Sequence, residues 1–583
     1  MQLKQKNKKH RTKGKKQATK HNICKPKTLD KKSAFKENFA QLQNVKLVGY
    51  VGTTTEFELE ALEKTMLKHK LYLIHPEVNI LDYIQVVDYL IVLDIDEQLQ
   101  QLITHQGHSN MYYFGQKDKS RSGKHCTSLG HLIQSMTTSV PKAHAYLKDR
   151  GFSVIESMSY DEDTQELKLS GLCRGPWSAN QLVHIPNCGD FKISKIMSWQ
   201  QDADAMDDTV VLSVPDDNAD EVIYKDSSQI HSDEEMAVEP TEAMEEDDAS
   251  GDEDEKLFKD GLTNEERQQE YEEFKKQQIQ DHKDFPDEID TSRSDCAREL
   301  YKEFRGLESF KTSPWNPYEN LPDSYSQLFE FKGFRAIKAK LQNELKQCQV
   351  KNVFASIHIQ FPRDLLPLIK SKCIVWNLWQ METRATTVNM TIIPSLQYDA
   401  DDDPVRSGDE IIVQYGYRRY VINPIFSKQT NNSVNNVHKL DPFLEGPSMA
   451  SAVLPVTFQC GPILYFRTKH GNMEFIGSGS LDSVDFKRIV AQRILLTADP
   501  FKVKATHKGV VVRFMFFNAE DVIYFKPIKL FTKMGRRGRI KESLGTHGYM
   551  KCIFNQPIQH QDTVCMALYK RIFPNPEFQL YKE

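Results

Sequence analysis

Apolar positions change their period several times along the chain, and each change marks a different kind of element. Between about 40 and 150, residues 45–51 (VKLVGYV) and 86–94 (VVDYLIVLD) are nearly continuous apolar runs of strand length. Residues 56–69 space their apolar positions as a helix does, and 131–150 is of mixed helical pattern. Strands apolar on both faces are buried on both sides, so strand, helix, strand predicts a small α/β unit with a parallel sheet. Residues 151–200 switch to a period of two, in 152–155, 166–171 and 181–186, which predicts antiparallel strands opening a β-barrel. Residues 201–290 read as an acidic linker followed by a charged helix, opened by the capping-box pattern Thr263-Asn-Glu-Glu266 and running to about His282. Residues 291–349 mix aromatics, prolines and cations without a period. They predict an extended packing segment anchored by Trp315, Tyr318 and Phe329. From 350 short strands return, at 353–359, 374–379, 388–393, 410–415, 419–422, 453–458, 463–466, 510–517, 522–531 and 550–554. They predict one β-barrel over 350–450 and a C-terminal one over 451–583. The fold class expected is α/β plus β.

Composition adds two tails to this picture. The 583 residues hold 76 Lys and Arg against 81 Asp and Glu, a net −5. Residues 1–36 alone hold 14 Lys and Arg and a single acid, Asp30, while 233–255 hold 13 acids and no base. The first stretch has almost no large apolar side chains and predicts a disordered basic arm. The second predicts a disordered spacer, in which Ser232 and Ser250 precede acids that an acidophilic kinase could use. The remainder, with 31 Phe, 22 Tyr and 5 Trp, can bury cores, enough for roughly three or four domains of about 100 to 200 residues. No apolar run approaches the roughly 18 to 20 residues that span a bilayer, so no membrane partner is expected. The basic N-terminus lacks an apolar segment and does not read as a secretory signal. Ten cysteines without a C-x-x-C pair fit reduced thiols of cytosol or nucleus.

An α/β unit prompts a search for a nucleotide site. A P-loop needs a lysine after its last glycine to reach the phosphates, but the stretch after the first strand is Gly49-Tyr50-Val51-Gly52-Thr53-Thr54-Thr55. Asp94-Ile95-Asp96-Glu97 lacks the glycine of a D-x-x-G motif, Gln116-Lys117-Asp118 differs from N-K-x-D in residue and spacing, and Gly123-Lys124 is followed by His125. Hydrolysis requires these parts together, so neither catalytic residues nor a cofactor are expected. His105, His108, His125, Cys126 and His131 match no compact zinc-ligand spacing, so no metal is expected either. No Ser/His/Asp or Cys/His set carries a local signature of hydrolysis.

Charge density directs the search to phosphates instead. Lys4, Lys6, Lys8, Lys9, Arg11, Lys13, Lys15 and Lys16 form a candidate RNA-binding arm that would act by counterion release, and 13–16 (KGKK) also fits an import signal. A second candidate lies at 533–541 and 545–548: Arg536, Arg537, Arg539, Lys541 and His547 stand among glycines that allow tight turns, and arginine forks match phosphate oxygens. Arg418-Arg419 is a weaker patch, open equally to inter-domain pairing. Phe514, Phe516, Phe517, Tyr524 and Phe525 stand at strand spacing and are assigned to core rather than to base stacking.

Several stretches, taken in order, carry a resemblance: 3–10 (LKQKNKKH), 181–190 (QLVHIPNCGD), 285–290 (FPDEID), 304–307 (FRGL), 309–317 (SFKTSPWNP), 513–518 (RFMFFN), 520–527 (EDVIYFKP), 535–542 (GRRGRIKE), 544–548 (LGTHG) and 568–574 (LYKRIFP). The chain resembles the Bms/Tsr family of ribosome-assembly factors, in its Tsr branch, most densely over 285–583 and least over 40–150. The resemblance implies a body like a translational GTPase, with a degenerate GTPase-like α/β domain that has lost its motifs, followed by several β-barrels. It implies work on the maturing small ribosomal subunit, needed for pre-rRNA processing and blocking premature engagement of translation factors. The implied partners are small-subunit pre-rRNA, ribosomal proteins of the pre-small subunit and other assembly factors, with the protein monomeric on the particle. Its implied location is nucleolus and nucleus, with passage to the cytoplasm. The GTPase-like region here looks shorter than is usual in the family. Two rivals are an active GTPase working through an atypical loop at Gly49–Thr55 and a scaffold whose acidic linker screens basic clients.

Overall fold

The computed structural model describes residues 46–51, 65–198, 211–220 and 287–582, apart from short stretches within them. The basic arm, Gly52–Thr55, Asp94–Asp96, Gln116–Asp118, Ser232, Ser250 and the helix expected at 263–282 lie outside the described residues.

The α/β unit is built from β1 (Lys46–Val51), β2 (Leu71–Leu73), α1 (Ile80–Tyr83), β3 (Tyr89–Val92), α2 (Glu97–His105), β4 (Met111–Phe114), β5 (Lys124–Cys126) and α3 (Leu129–Thr138). Its sheet runs β2-β1-β3-β4-β5 with every pairing parallel. Alternate residues serve two cores. Val48, Tyr50, Tyr89 and Ile91 pack with Leu132, Ile133 and Met136 of α3, while Leu47, Val51, Leu90 and Val92 face Tyr83, Ile103 and the barrels. Burial on both faces is why these strands read as unbroken apolar runs rather than as alternation.

The first barrel holds β6 (Phe152–Asp161), β7 (Glu166–Trp177), β8 (Leu182–Ile185), β9 (Gly189–Ser198) and β10 (Val211–Ser213). The chain then passes through β11 (Glu288–Ile289), α4 (Ala297–Leu300) and α5 (Phe334–Leu345) before β12 (Val350–Gln360) and β13 (Ile374–Asn377). Periodicity alone ends this barrel at 200 and starts another at 350, but hydrogen bonding joins the two. The order is β10-β9-β12-β7-β6-β13-β8, closed by β8 against β9. β12 inserts between β7 and β9, with Ile357 opposite both Leu169 and Ile196, and places Ala355, Ile357 and Ile359 inside. Nor is 291–349 wholly extended. In α5, Ile337, Leu341 and Leu345 stand four residues apart and pack on Trp379, Val456 and Phe458. Trp315 and Phe329 pack as expected, while Tyr318 is half exposed with its ring edge on Phe486.

Next come β14 (Ala385–Pro394), β15 (Ile411–Tyr415), β16 (Arg418–Ile422), β17 (Ile425–Ser427), β18 (Val437–Lys439), β19 (Ser448–Pro455), β20 (Ile463–Lys469), β21 (Asn472–Gly479) and β22 (Leu481–Ser483). Except for β18, which pairs with the following barrel, they form a barrel-like sheet around Val388, Val413, Tyr415 and Tyr465. The third barrel contains β23 (Ile489–Lys502), β24 (Gly509–Arg513), α6 (Ala519–Tyr524), β25 (Lys529–Thr532), β26 (Arg537–Ser543), β27 (Met550–Phe554) and β28 (Val564–Ile572). Its order β23-β24-β27-β26-β25-β28 closes through β23 and β28, and β29 (Gln579–Leu580) returns to pair β16. The boundary expected at 450 therefore falls inside β19, a strand buried along its whole length. Among the described residues no helix is long and apolar enough to cross a membrane.

Candidate nucleic-acid interface

The segment 533–541 is a hairpin arm rather than a loop. Gly535 takes φ 82 at the turn between β25 and β26, and from there Arg537, Arg539 and Lys541 occupy alternate positions of β26, all exposed, while Ile540 lies in the core. Alternation puts Arg537 and Arg539 on one face, about 7 Å apart along the strand, and Lys541 follows them as the exposed extra residue of a bulge between Ile540 and Glu542. Gly538, between them, lies against the ring of Phe554, where a Cβ would come within 2.5 Å of Cδ1. Among the described residues Arg537, Arg539 and Lys541 hold no ion pair, so their donors are free for an anionic ligand. Arg536 differs: its Nη1 donates to Asp562 Oδ2 at 2.7 Å, and that carboxylate is buried. His547 is exposed at φ 45 in the turn joining β26 to β27.

Register brings in cations that no local motif announced. One row across the sheet is Lys502, Val511, Lys551 and Glu542, and another is Gly509, Ile553, Arg539 and Lys529. The opposite face carries Val510, Val512, Met550 and Cys552 into the core. Lys551 donates to Glu542 at 3.0 Å, and this contact, with Lys541 and Lys526 nearby, holds the Glu542 carboxyl below the usual range. Lys529 is paired with Glu308, and Lys533 with Glu288 at 2.7 Å. The outcome is a cationic outer face on a rigid barrel, with Arg537, Arg539 and Lys541 as its unpaired members. The signal for Lys551 was present in sequence as period-two alternation in 550–554. Lys502 had none, because only strand register places it there.

Arg418 and Arg419 belong elsewhere. Arg418 is 0% exposed, donating to the Glu382 carbonyl and Tyr420 Oη, each at 3.0 Å, and Arg419 pairs with Asp82 of α1. Around them, Arg150 grips Glu382 at 2.6 and 2.7 Å, and His184 meets Asp190 at 2.6 Å. Burial alone would raise the Glu382 carboxyl; Arg150 beside it overrides that and holds it low. This network joins the α/β unit and two barrels, so inter-domain pairing is the role of the second patch. The candidate zinc ligands are likewise dispersed: His105 Nδ1 lies 2.8 Å from Ser478 Oγ, His125 stacks on Tyr113, and His131 Nδ1 is 3.6 Å from Cys126 Sγ. No group of three ligands that could hold a metal occurs among the described residues. The core assignment of the aromatics holds for Phe516 and Phe525 and fails for Phe514 and Tyr524, which are 41% and 50% exposed. Strand ends and the last turn of α6 turn these two rings out of the period that carries their neighbours inward.

Residues 289–574 match the family model described as 40S ribosome biogenesis protein Tsr1 and BMS1 C-terminal, and residues 138–202 match the AARP2CN (NUC121) domain. Translation elongation factor SelB from Methanococcus maripaludis, in its apo form, aligns with 91% of this chain and 99% of its own at 8% identity and a TM-score of 0.43. The Homo sapiens Pre-rRNA-processing protein TSR1 homolog is 38% identical over 320 residues, covering 53% of this chain and 39% of that protein. The Schizosaccharomyces pombe Ribosome biogenesis protein tsr1 is 34% identical over 474 residues, 77% of this chain and 56% of that protein. The chain thus spans less than two thirds of the length of these curated relatives. With its third barrel and much of its second inside the matched 289–574, the chain belongs to the Tsr1 and BMS1 family of 40S ribosome biogenesis proteins.

Proposed function

We propose that this chain is a non-catalytic ribosome-biogenesis factor that docks on small-subunit pre-rRNA, supports its processing, and acts by occupying a surface that translation factors would otherwise engage. The observation that carries this reading is the set of unpaired cations Arg537, Arg539 and Lys541 on one rigid strand, inside the family-matched region. The planar guanidinium fork is pre-organised for phosphate oxygens, so less freedom is lost per hydrogen bond formed, and each phosphate neutralised releases counterions. The basic arm Lys4–Lys16 supplies a second, sequence-independent contact, and His547 borders the first. Ribosomal proteins of the pre-small subunit and other assembly factors are the neighbours, with one copy of the chain on the particle and a route from nucleolus through nucleus to cytoplasm. A degenerate GTPase-like role for the α/β unit agrees with the absence of a P-loop lysine in Gly49–Thr55.

Crosslinking of the tagged protein to cellular RNA, with sequencing of the attached fragments, tests this. Peaks on small-subunit pre-rRNA are expected, and they should weaken for Arg537→Glu combined with Arg539→Glu. A protein that sediments free of rRNA and binds guanine nucleotide would replace this reading with the active GTPase.

A further inference from the structure

Two backbone irregularities at one end of the third barrel turn aromatic rings out beside the cationic face. Phe501 is the extra residue of a bulge, because the register between β23 and β24 jumps from Pro500 opposite Val512 to Lys502 opposite Val511. Bulges re-aim side chains and concentrate near functional surfaces. Phe514, directly after β24, has φ 72, a left-handed conformation that bulky side chains rarely adopt. Phe501 and Phe514 are 40% and 41% exposed. Between them stands Arg513, its Cζ 4.9 Å from the Phe501 ring centre and 4.5 Å from that of Phe514. The Tyr549 ring lies 5.4 Å from that of Phe501, held there because Gly548 lets the β26–β27 turn sit on the Phe516 carbonyl, where a Cβ would come within 1.8 Å.

A core defect would explain one such ring poorly and two worse. Folding alone would favour glycine at φ 72 and burial of both rings. Instead the Phe501 ring lies beside Lys502, whose Nζ is 5.6 Å from the ring centre and whose row continues through Val511 to Lys551. Cations that track a backbone, next to a part-exposed aromatic ring such as Phe514, are the two parts of a single-strand binding surface. We infer that Phe501, Arg513 and Phe514 form a stacking platform for an unpaired base of an RNA strand whose phosphates run over Lys502, Lys551, Arg539 and Arg537. Phe514 offers its solvent-facing side to the base, and Arg513 backs the ring and supplies charge. This rests on the reading of the cationic face as an RNA contact and adds what that face prefers: single strand over duplex.

The test uses the whole chain and two fluorescent RNAs of about 12 nucleotides, one single-stranded and one a blunt duplex of the same sequence, followed by anisotropy across a salt series. Phe514→Ala should weaken single-strand binding about 5- to 150-fold, the range that one base stack is worth, and leave duplex binding and the salt slope unchanged. Phe514→Gly suits the left-handed backbone, so it should keep or raise Tm while losing single-strand affinity to the same extent. Arg537→Ala with Arg539→Ala should weaken both RNAs and shallow the slope. If both Phe514 variants bind single strand as the native chain does while the arginine variant is weakened, the platform is overturned and the cationic face stands. If only the Phe514 variants lose binding, the platform stands and the phosphate path over Arg537 and Arg539 is overturned.

Discussion

At the turn between β25 and β26 two adjacent arginines face different surroundings: Arg536 reaches the buried carboxylate of Asp562 at 2.7 Å, and Arg537 opens the exposed face of β26. Adjacent strand residues point to opposite sides, so a sequence motif of three arginines splits into one structural and two available cations. Removing Arg536 strands a buried charge, whereas removing Arg537 or Arg539 strands nothing. Arg536→Ala is therefore expected to lower stability in urea melts by about 2 to 4 kcal/mol with the salt dependence of RNA binding unchanged. Arg537→Ala with Arg539→Ala is expected to leave the urea midpoint in place and reduce the slope of log K against log salt by about 1.4 to 1.8, two phosphate contacts' worth. Equal effects of both variants on stability would show that the two positions do not divide in this way.

In the α/β unit one contribution to acid sensitivity comes from a histidine beyond the end of α2. His108 is buried, its Nε2–H donating to the Val87 carbonyl at 3.1 Å and its ring 5.1 Å from that of His144. Burial, with His144 beside it, pushes its pKa down to about 4. An unfolded histidine titrates near 6.5. Between about pH 6.5 and 4 the unfolded chain binds a proton that the folded chain refuses, so stability is complete above that window and falls as pH drops through it. The loss reaches at most about 3 kcal/mol. Chemical denaturation at pH 7 and pH 5 should show this fall, and His108→Gln, which can keep the bond to Val87, should reduce it. A variant as acid-sensitive as the native chain would assign the effect to another group. His438, next to Arg488 and pushed down to about 4 by burial and that cation, makes the same kind of contribution where β18 meets β23.

Across the whole molecule the α/β unit and the first two barrels are tied at one buried junction. Arg150 and Glu382 form its centre, Arg418 and Tyr417 close over them, Gln85 donates to the Gly416 carbonyl at 3.0 Å, and Arg174 pairs with Asp88 at 2.8 Å. Apolar packing follows the same path, with Leu90, Phe152, Trp376, Tyr417 and Leu464 in one continuous core. Breaking a buried pair on one side leaves an unmatched charge, so Glu382→Ala is expected to cost about 3 to 5 kcal/mol. Calorimetry should then resolve separate melting of the α/β unit, whereas the native chain is expected to melt in one transition with its barrels. A single unchanged transition would mean that the apolar contacts suffice. A junction of this kind holds the units in one arrangement.

Local pattern was enough to determine that the chain is α/β followed by barrels, that no lysine follows the glycines of Gly49–Thr55, and that its cations gather at 536–541. Each of these is a property of neighbouring residues: a period, a missing side chain, a density of charge. What the tertiary structure alone decided is non-local. β12 completes a barrel whose neighbouring strand β9 ended at Ser198, far back along the chain, because strand pairing is chosen by complementary faces and not by distance along the chain. Arg418 and Arg419 went to a junction because their carboxylate partners come from other units, and Lys502 joined Lys551 and Arg539 because register aligned their strands. Phe514 faces solvent because one φ angle departs from the strand that precedes it. Charge and hydropathy are written residue by residue, whereas exposure depends on what folds against each residue.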